Sequence, residues 1–162
     1  MTDLTVERLR ELLDYDPDTG LFTWRVRTRN SVKFGDVAGC FSSTGYWQIQ
    51  IDGRKHRAHR LAWLYVTGEW PTSDLDHING IRDDNRIANL RAATRSENGQ
   101  NQREPQSHNK VGYLGVHSHQ GKFRAIIILD GKKKHIGCFP TPEAAHAAYL
   151  EAKRRLHPYG TI

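Results

Sequence analysis

The chain has 162 residues, and its 24 Lys and Arg against 18 Asp and Glu give a formal net charge of +6. This length accommodates one ordinary domain or two small ones and excludes a large multilayered enzyme. The longest apolar stretch, 61–66, is too short to cross a bilayer, and the acidic N-terminal segment is unlike a secretory leader. We therefore expect an intracellular protein that does not associate with membranes.

The two cysteines and the distribution of charge along the chain further limit the class of protein. Cys40 and Cys138 form no C-x-x-C pair, which excludes a thiolate zinc ribbon and argues against a disulfide scaffold. Residues 21–60 and 106–162 are net basic, whereas 1–20 and 61–105 are net acidic. Basic segments that flank an acidic middle are expected if they bind a polyanion while the middle binds a cation. Ordinary fluctuation of charge along a soluble chain is the alternative.

The first sixty residues predict a short helix followed by strands. Val6, Leu9, Leu12 and Leu13 repeat at helical spacing, and the turn at 16–20 ends the helix. A strand over 21–25 opens a basic loop whose cations are Arg25, Arg27, Arg29 and Lys33. A strand over 45–51 turns at 52–53 into a basic return strand. The cations of the return strand suit phosphate contact or protection of a sheet edge; they are Arg54, Lys55 and Arg57.

Residues 58–102 predict two helices with a polar segment between them. The apolar run over 58–67 indicates a buried helix that ends at Gly68. Residues 71–89 are too polar and too poor in periodicity to predict a core element. Thr94 and Glu97 have the spacing of a capping box, so a second helix is expected to begin at Arg95 and to carry Asn98.

The rest of the chain predicts a separate small domain. Residues 103–110 are a linker by composition. Strands are predicted over 111–117, 122–129 and 132–139, with a hairpin turn at Asp130-Gly131. Thr141 and Pro142 then start an alanine-rich helix. We therefore predict that residues 111–162 form a three-stranded antiparallel sheet packed on one helix.

Asp76 and His77 are the residues best suited to chemistry. Carboxylate and amide oxygens are hard ligands that suit Mg²⁺ or Mn²⁺ and leave positions for water and phosphate. Neighbouring residues of an extended segment point to opposite sides, so Asp76 can face a metal while His77 faces an attacking water. A His with an ordinary pKa of about 6.5 accepts a proton at neutral pH. On composition alone, loop formation is the favoured explanation of this Asp-His pair, and the other histidines are expected to be surface or structural residues.

A set of motifs resembles the HNH homing endonucleases of the phage type over about residues 10–101. The motifs are HRLAW from His59, GEWP from Gly68, DHING from Asp76, DDNRIANLR from Asp83, and Glu97-Asn98 followed by Asn101. The resemblance implies an α+β protein whose first part has the ββα-metal fold. It also implies a protein of phage or mobile-element origin that acts in the cytoplasm of a bacterial host.

The same resemblance implies roles for four residues. His77 is expected to be the general base and Asn89 the residue that orients it. Asp76 and Asn98 are expected to bind one divalent metal ion per site. The last letter of HNH stands for His, but this sequence has Asn at that position. The resemblance therefore favours Mg²⁺ or Mn²⁺ over zinc or nickel.

Residues 108–157 resemble the DNA-binding domain of plant ethylene-response factors, the AP-two fold. The similar segments begin at Tyr113, Gly121, His135 and Thr141. In that family a three-stranded sheet lies in the major groove, but Leu114 and Phe123 stand where Arg and Trp are usual, so base-specific readout is not implied. The expected DNA contacts, with solvated surface charge as the alternative, are His117, Lys122, Arg124, Lys132, Lys133 and Lys134.

The sequence therefore predicts a metal-dependent endonuclease that hydrolyses phosphodiester bonds in double-stranded DNA. Residues 1–102 would cut, with Arg25, Arg27, Arg54, Lys55 and Arg57 as further DNA contacts, and residues 111–162 would hold the duplex. The alternative is a DNA-binding regulator with a catalytically silent scaffold. RNA is disfavoured because the A-form major groove is too narrow for such a sheet. No protein partner is implied, and the oligomeric state is left open.

Overall fold

The computed structural model describes residues 4–27 and 32–160; Arg29 of the predicted basic loop lies outside them. The described residues form a mixed α and β protein with small sheets and four α-helices. Contacts divide the chain into two units, Met1–Ala92 and Ala93–Ile162. Within these described residues, no helix is long and apolar enough to cross a membrane.

The first unit opens with a helix that passes directly into a strand. Helix α1, Val6–Leu12, is capped by Thr5, whose hydroxyl accepts a hydrogen bond from the Arg8 N–H. Leu13, which the spacing placed in the helix, instead begins strand β1, Leu13–Tyr15, because its backbone is already extended. Strand β2, Phe22–Trp24, pairs with β1 in antiparallel fashion after the turn at 16–20.

A three-stranded sheet and the helix that follows it supply part of the core of the first unit. Strands β3 (Cys40–Phe41), β4 (Trp47–Ile51) and β5 (Arg54–Arg57) are antiparallel neighbours in that order. The turn between β4 and β5 has positive φ at both central residues, 47° and 81°, as the predicted hairpin requires. Helix α2, Ala58–Thr67, ends at Gly68 as predicted, and its apolar face packs with β1, β2 and β4.

The polar segment after α2 is more ordered than its composition predicted. Strand β6, Asp74–His77, pairs with β7, Leu90–Ala93, and a 3₁₀ turn at Ile87–Asn89 precedes β7. The expectation that this segment holds no core element is wrong, because four of its polar residues are at most 8% exposed. These buried residues are Asp76, His77, Asn85 and Asn89.

The second unit contains helix α3, Arg95–Gln100, and the predicted sheet with its helix. The Thr94 and Glu97 side chains form the expected capping box at the start of α3. Strands β8 (Val116–His119), β9 (Lys122–Leu129) and β10 (Lys132–Phe139) form an antiparallel sheet in the order β10-β9-β8. Residues 111–115, predicted as strand, form turns instead, and Asn109 Nδ2 donates to the Tyr113 carbonyl there.

Helix α4, Pro142–Leu156, covers one face of this sheet. Thr141 caps it, and the shared core contains Val116, Ala125, Ile127, Ala145 and Tyr149. Lys153 on α4 is only 1% exposed, and its ammonium donates to the Gln102 carbonyl at 2.6 Å. Burial lowers the pKa of Lys153. This bond ties the segment after α3 to α4 within the second unit.

Candidate active site

His77 ends β6 in a buried position of the first unit. It is 5% exposed, and burial lowers the pKa of its imidazole, against opposing effects of Asn85, Asp76, Asp84 and Asp83. The lowered pKa keeps the ring neutral at pH 7. A neutral imidazole is the form that accepts a proton, so the environment suits the role of general base.

The Asn85 amide determines which nitrogen of the ring is basic. Its Nδ2 donates to the Asp83 carbonyl at 2.9 Å, so its Oδ1 is the atom that faces His77 Nε2, at 3.5 Å. An amide oxygen can only accept, which assigns the ring hydrogen to Nε2 and the lone pair to Nδ1. Asn85 is 2% exposed, so this orientation is enclosed by protein.

Two residues from the first twenty of the chain contact the backbone of Asn85. The Tyr15 hydroxyl donates to the Asn85 carbonyl at 2.8 Å, and burial raises the pKa of Tyr15 to about 12. Gly20 has φ of +74°, and a Cβ placed there would lie 2.5 Å from Arg86 N and 2.6 Å from Asn85 C. Only glycine fits this close approach, so the turn at 16–20 packs directly on the backbone that carries Asn85.

Asn89 holds the loop between β6 and β7 together. Its Nδ2 donates to Asn79 Oδ1 at 3.0 Å and to the Asp84 carbonyl at 2.8 Å, and its Oδ1 accepts from the Asn79 N–H at 3.0 Å. The Arg86 guanidinium lowers the pKa of Asp84 to about 2 through two hydrogen bonds of 2.7 and 2.6 Å. The Asn89 carbonyl also accepts from the Ile78 N–H, at 2.8 Å, next to His77.

Asp76 is held by an arginine from the neighbouring strand. Arg91 Nε and Nη2 both donate to Asp76 Oδ2, at 3.0 and 2.6 Å, and the carboxylate is 8% exposed. The two bonds from one guanidinium fix the orientation of the Asp76 carboxylate. A carboxylate held this way fits a hard cation such as Mg²⁺ or Mn²⁺.

Asn98 lies on α3, in the second unit, and is half-buried. Its side-chain amide hydrogen-bonds no residue of the described chain, so its oxygen suits a ligand of the same hard kind. The ranges 4–27 and 32–160 contain no group of three or more His, Cys, Asp or Glu that could hold a metal ion.

Two further rings pack against His77. The His59 ring on α2 lies 5.0 Å from the His77 ring in an edge-to-face arrangement, and the Tyr46 ring lies 6.1 Å from it. His59 is 4% exposed, and burial, followed by the charge of His77, lowers its pKa to about 3. No atom within the described ranges hydrogen-bonds His59 Nδ1. The candidate base therefore lies beside two other rings of the first unit.

The predicted DNA contacts of the first unit differ in their surroundings. Lys55 and Arg57 pair with Gln50 and Gln48, on the face of β4 and β5 opposite the core residues Ile49 and Ile51. Arg54 pairs with Ile51 at the end of the hairpin. Arg25 is already paired with Asp14 at 3.4 Å, whereas Arg27 is exposed beside residues outside the described ranges.

The register of the second sheet separates its predicted DNA contacts into two groups. Four of them lie on the face opposite α4, since Arg124 pairs with His117 and Lys133 pairs with Ile128. These four are His117, Lys122, Arg124 and Lys133. Burial and then the charges of Arg124 and Lys133 lower the pKa of His117, so a neutral imidazole lies beside these two cations. Lys132 and Lys134 alternate to the α4 side, because Lys134 pairs with the core residue Ile127.

Sequence reasoning missed three residues of the site. Asn85 and Arg91 stand in the quoted motif DDNRIANLR, but nothing local distinguishes them from loop formers. His59 stands in HRLAW and was expected to be structural. The available signal for His59 was its position on the apolar side of a helix that the sequence already predicted as buried.

Comparison with known proteins identifies the region that contains the site. Residues 56–100 match the HNH endonuclease family, so the chain carries an HNH endonuclease domain over that range. This match indicates a nuclease, and DNA as its substrate. Neither the comparison with curated proteins nor that with solved structures found a match.

Proposed function

We propose that the protein is a metal-dependent endonuclease of the homing type that cuts double-stranded DNA, with His77 as general base. The observation that carries this proposal is the environment of His77. Its ring is buried, neutral, and assigned by Asn85 to the tautomer with a basic Nδ1. It also lies within the segment that matches HNH endonucleases.

In this proposal Nδ1 of His77 takes a proton from a water molecule as the water attacks the phosphorus. Asn85 then stabilises the imidazolium that forms, because its Oδ1 accepts from the Nε2 hydrogen. Asn89 would orient the base by holding the loop and the backbone next to His77.

Asp76 and Asn98 are the proposed ligands of the metal ion. A divalent ion bound there would neutralise charge on the phosphate and on the departing oxygen. Arg91 has the separate task of holding the Asp76 carboxylate in place. Two oxygen ligands from protein suit Mg²⁺ or Mn²⁺, which retain several waters, better than zinc.

The second unit is proposed to hold the duplex. The face opposite the helix-covered one carries the cations Lys122, Arg124 and Lys133 beside His117 and is open to a ligand. Phosphate contacts by such residues fix the position of a protein on DNA without reading the sequence. The lysines on the α4 side, Lys132 and Lys134, are expected to contribute less.

A plasmid-nicking assay with Mg²⁺, with Mn²⁺ and with EDTA tests the proposal. The wild-type protein should cut only with metal, and His77→Ala should lose on the order of 10²–10⁴ in rate, the usual worth of a general base. His108→Ala, at an exposed position of the second unit, is the matched control and should cut normally. Binding of duplex DNA without cleavage under every metal condition would favour the regulator instead.

A further inference from the structure

The Tyr46 ring carries two arginine side chains beside the candidate base. The guanidinium carbon of Arg57 lies 4.6 Å from the ring centroid, and that of Arg82 lies 5.3 Å from it. Both distances are within the range of a cation–π interaction. The same ring is 6.1 Å from the His77 ring, so the two positive charges lie next to the proposed site of hydrolysis.

The register of the sheet explains how these residues meet. Arg57 pairs with Gln48, and Tyr46 lies two positions before Gln48, so Tyr46 and Arg57 are diagonal neighbours on one face. Arg82 comes from the turn after β6, and its Nη1 donates to the Thr44 carbonyl at 2.9 Å. The arginines therefore reach the ring from separate elements, and Arg82 is anchored independently of the ring.

Within the described residues, no carboxylate forms an ion pair with either arginine. Arg8, Arg25, Arg86 and Arg91 each form a salt bridge with a carboxylate. In the described part of the chain, Arg57 and Arg82 form none. Two guanidinium groups held on one ring repel each other, and a bound anion would remove that cost. A phosphodiester is an anion that arginine binds with two parallel hydrogen bonds.

We propose that Arg57 and Arg82, held on Tyr46, bind a backbone phosphate of the DNA next to the bond that is cut. This inference rests on the proposed nuclease function, since it assigns the anion to the substrate. It gives Arg82, which the sequence did not single out, a role in placing the scissile phosphodiester near His77. Tyr46 acts as the platform that sets the positions of both charges.

The first experiment measures binding of a short duplex in EDTA as a function of salt, and it needs no cleavage. Arg57→Gln and Arg82→Gln should each bind about tenfold more weakly and lower the slope of log affinity against log salt by about 0.9. Arg8→Gln removes the same charge from an arginine paired with Glu11 and Asp52, and it should leave the slope unchanged. Equal slopes for all three variants would overturn the proposal.

The platform role of Tyr46 has its own pair of variants. Tyr46→Phe keeps the ring and should bind as the wild-type protein does, whereas Tyr46→Leu should bind as weakly as the arginine variants. Equal binding by both would overturn that role. A mononucleotide that competes as well as the duplex would instead assign the pair to a free nucleotide and overturn the assignment to the DNA backbone.

The second experiment locates the phosphate by replacing single phosphates around the mapped cut with uncharged methylphosphonates. One replacement next to the cut should weaken DNA binding by the wild-type protein. The same replacement should not weaken DNA binding by Arg57→Gln or Arg82→Gln any further. Persistence of the full effect in both variants would overturn the assignment. If the wild-type protein cuts no DNA with any metal, the proposed function fails while the salt experiment still reports on the anion site.

Discussion

His77 Nε2 and Asn85 Oδ1 lie 3.5 Å apart, with the Asn85 amide fixed by its bond to Asp83. This relationship decides which nitrogen of the buried ring carries the lone pair. Because 3.5 Å is at the long end of the hydrogen-bond range, small shifts of Asn85 should matter for activity. The support of Asn85 by Tyr15 and Gly20 is therefore part of the site.

Substitution of Asn85 should reduce cleavage without reducing DNA binding. Asn85→Leu removes the acceptor, so kcat should fall about 10- to 100-fold, a part of the value of general-base catalysis. Asn85→Asp keeps an acceptor and adds a negative charge, which raises the pKa of His77. The Asn85→Asp variant should therefore stay active at alkaline pH. On acidification, it should lose activity at a higher pH than the wild-type protein does. Identical pH profiles for wild type and Asn85→Asp would contradict the assignment.

Gly20→Ala should damage the site through the backbone of Asn85. The new Cβ would meet Arg86 N and Asn85 C, so we expect a loss of about 1–3 kcal/mol from overpacking, in addition to the cost of positive φ. Gly53→Ala is the matched control, since Gly53 has φ of +81° and no atom within 4 Å of the added Cβ. Urea unfolding followed by Trp fluorescence measures both, because all four Trp residues lie in the first unit. Equal losses would show that the packing on Asn85 is unimportant.

His59 should make the first unit less stable in acid. The unfolded chain binds a proton at His59 near pH 6.5, whereas the folded protein does so only near pH 3. Protons therefore favour the unfolded state, and the free energy of unfolding should decrease as the pH falls through this interval. In His59→Phe, which keeps a ring, the decrease between pH 6.5 and 4 should be smaller. An unchanged decrease would mean that His59 titrates equally in both states.

Gly115→Ala should destabilise the second unit. Gly115 has φ of +73°, and an added Cβ would overlap the ring of Tyr149, which is 7% exposed in the core. Gly121→Ala has nearly the same φ, +74°, and no atom within 4 Å. Thermal unfolding followed by circular dichroism should show a lower transition temperature for Gly115→Ala. We expect its free energy of unfolding to fall by about 1–3 kcal/mol more than that of the control. Coincident transitions would contradict close packing of this turn on α4.

The sequence alone predicted the elements whose signals are local. Helix α2 and strands β9 and β10 have the predicted bounds, and α3 begins at Arg95 behind the predicted capping box. Both Asp-Gly turns have positive φ at their two central residues. These features depend on periodicity, caps and turn residues within a few positions of one another, which a reader of the sequence can see.

Only the tertiary structure revealed how the polar segment becomes a buried site. Tyr15 and Asn85 are 70 positions apart, yet one hydrogen bond between them supports the candidate base. Hydrogen bonds join Asn79, Asp84 and Asn89 to one another. Burial of these polar groups therefore costs little free energy, although their composition predicted a loop. The sequence thus predicted candidates for chemistry, whereas only the fold placed Asn85, Arg91 and His59 beside them. The reason is that burial of polar groups depends on partners distant in the chain, and no local pattern specifies them.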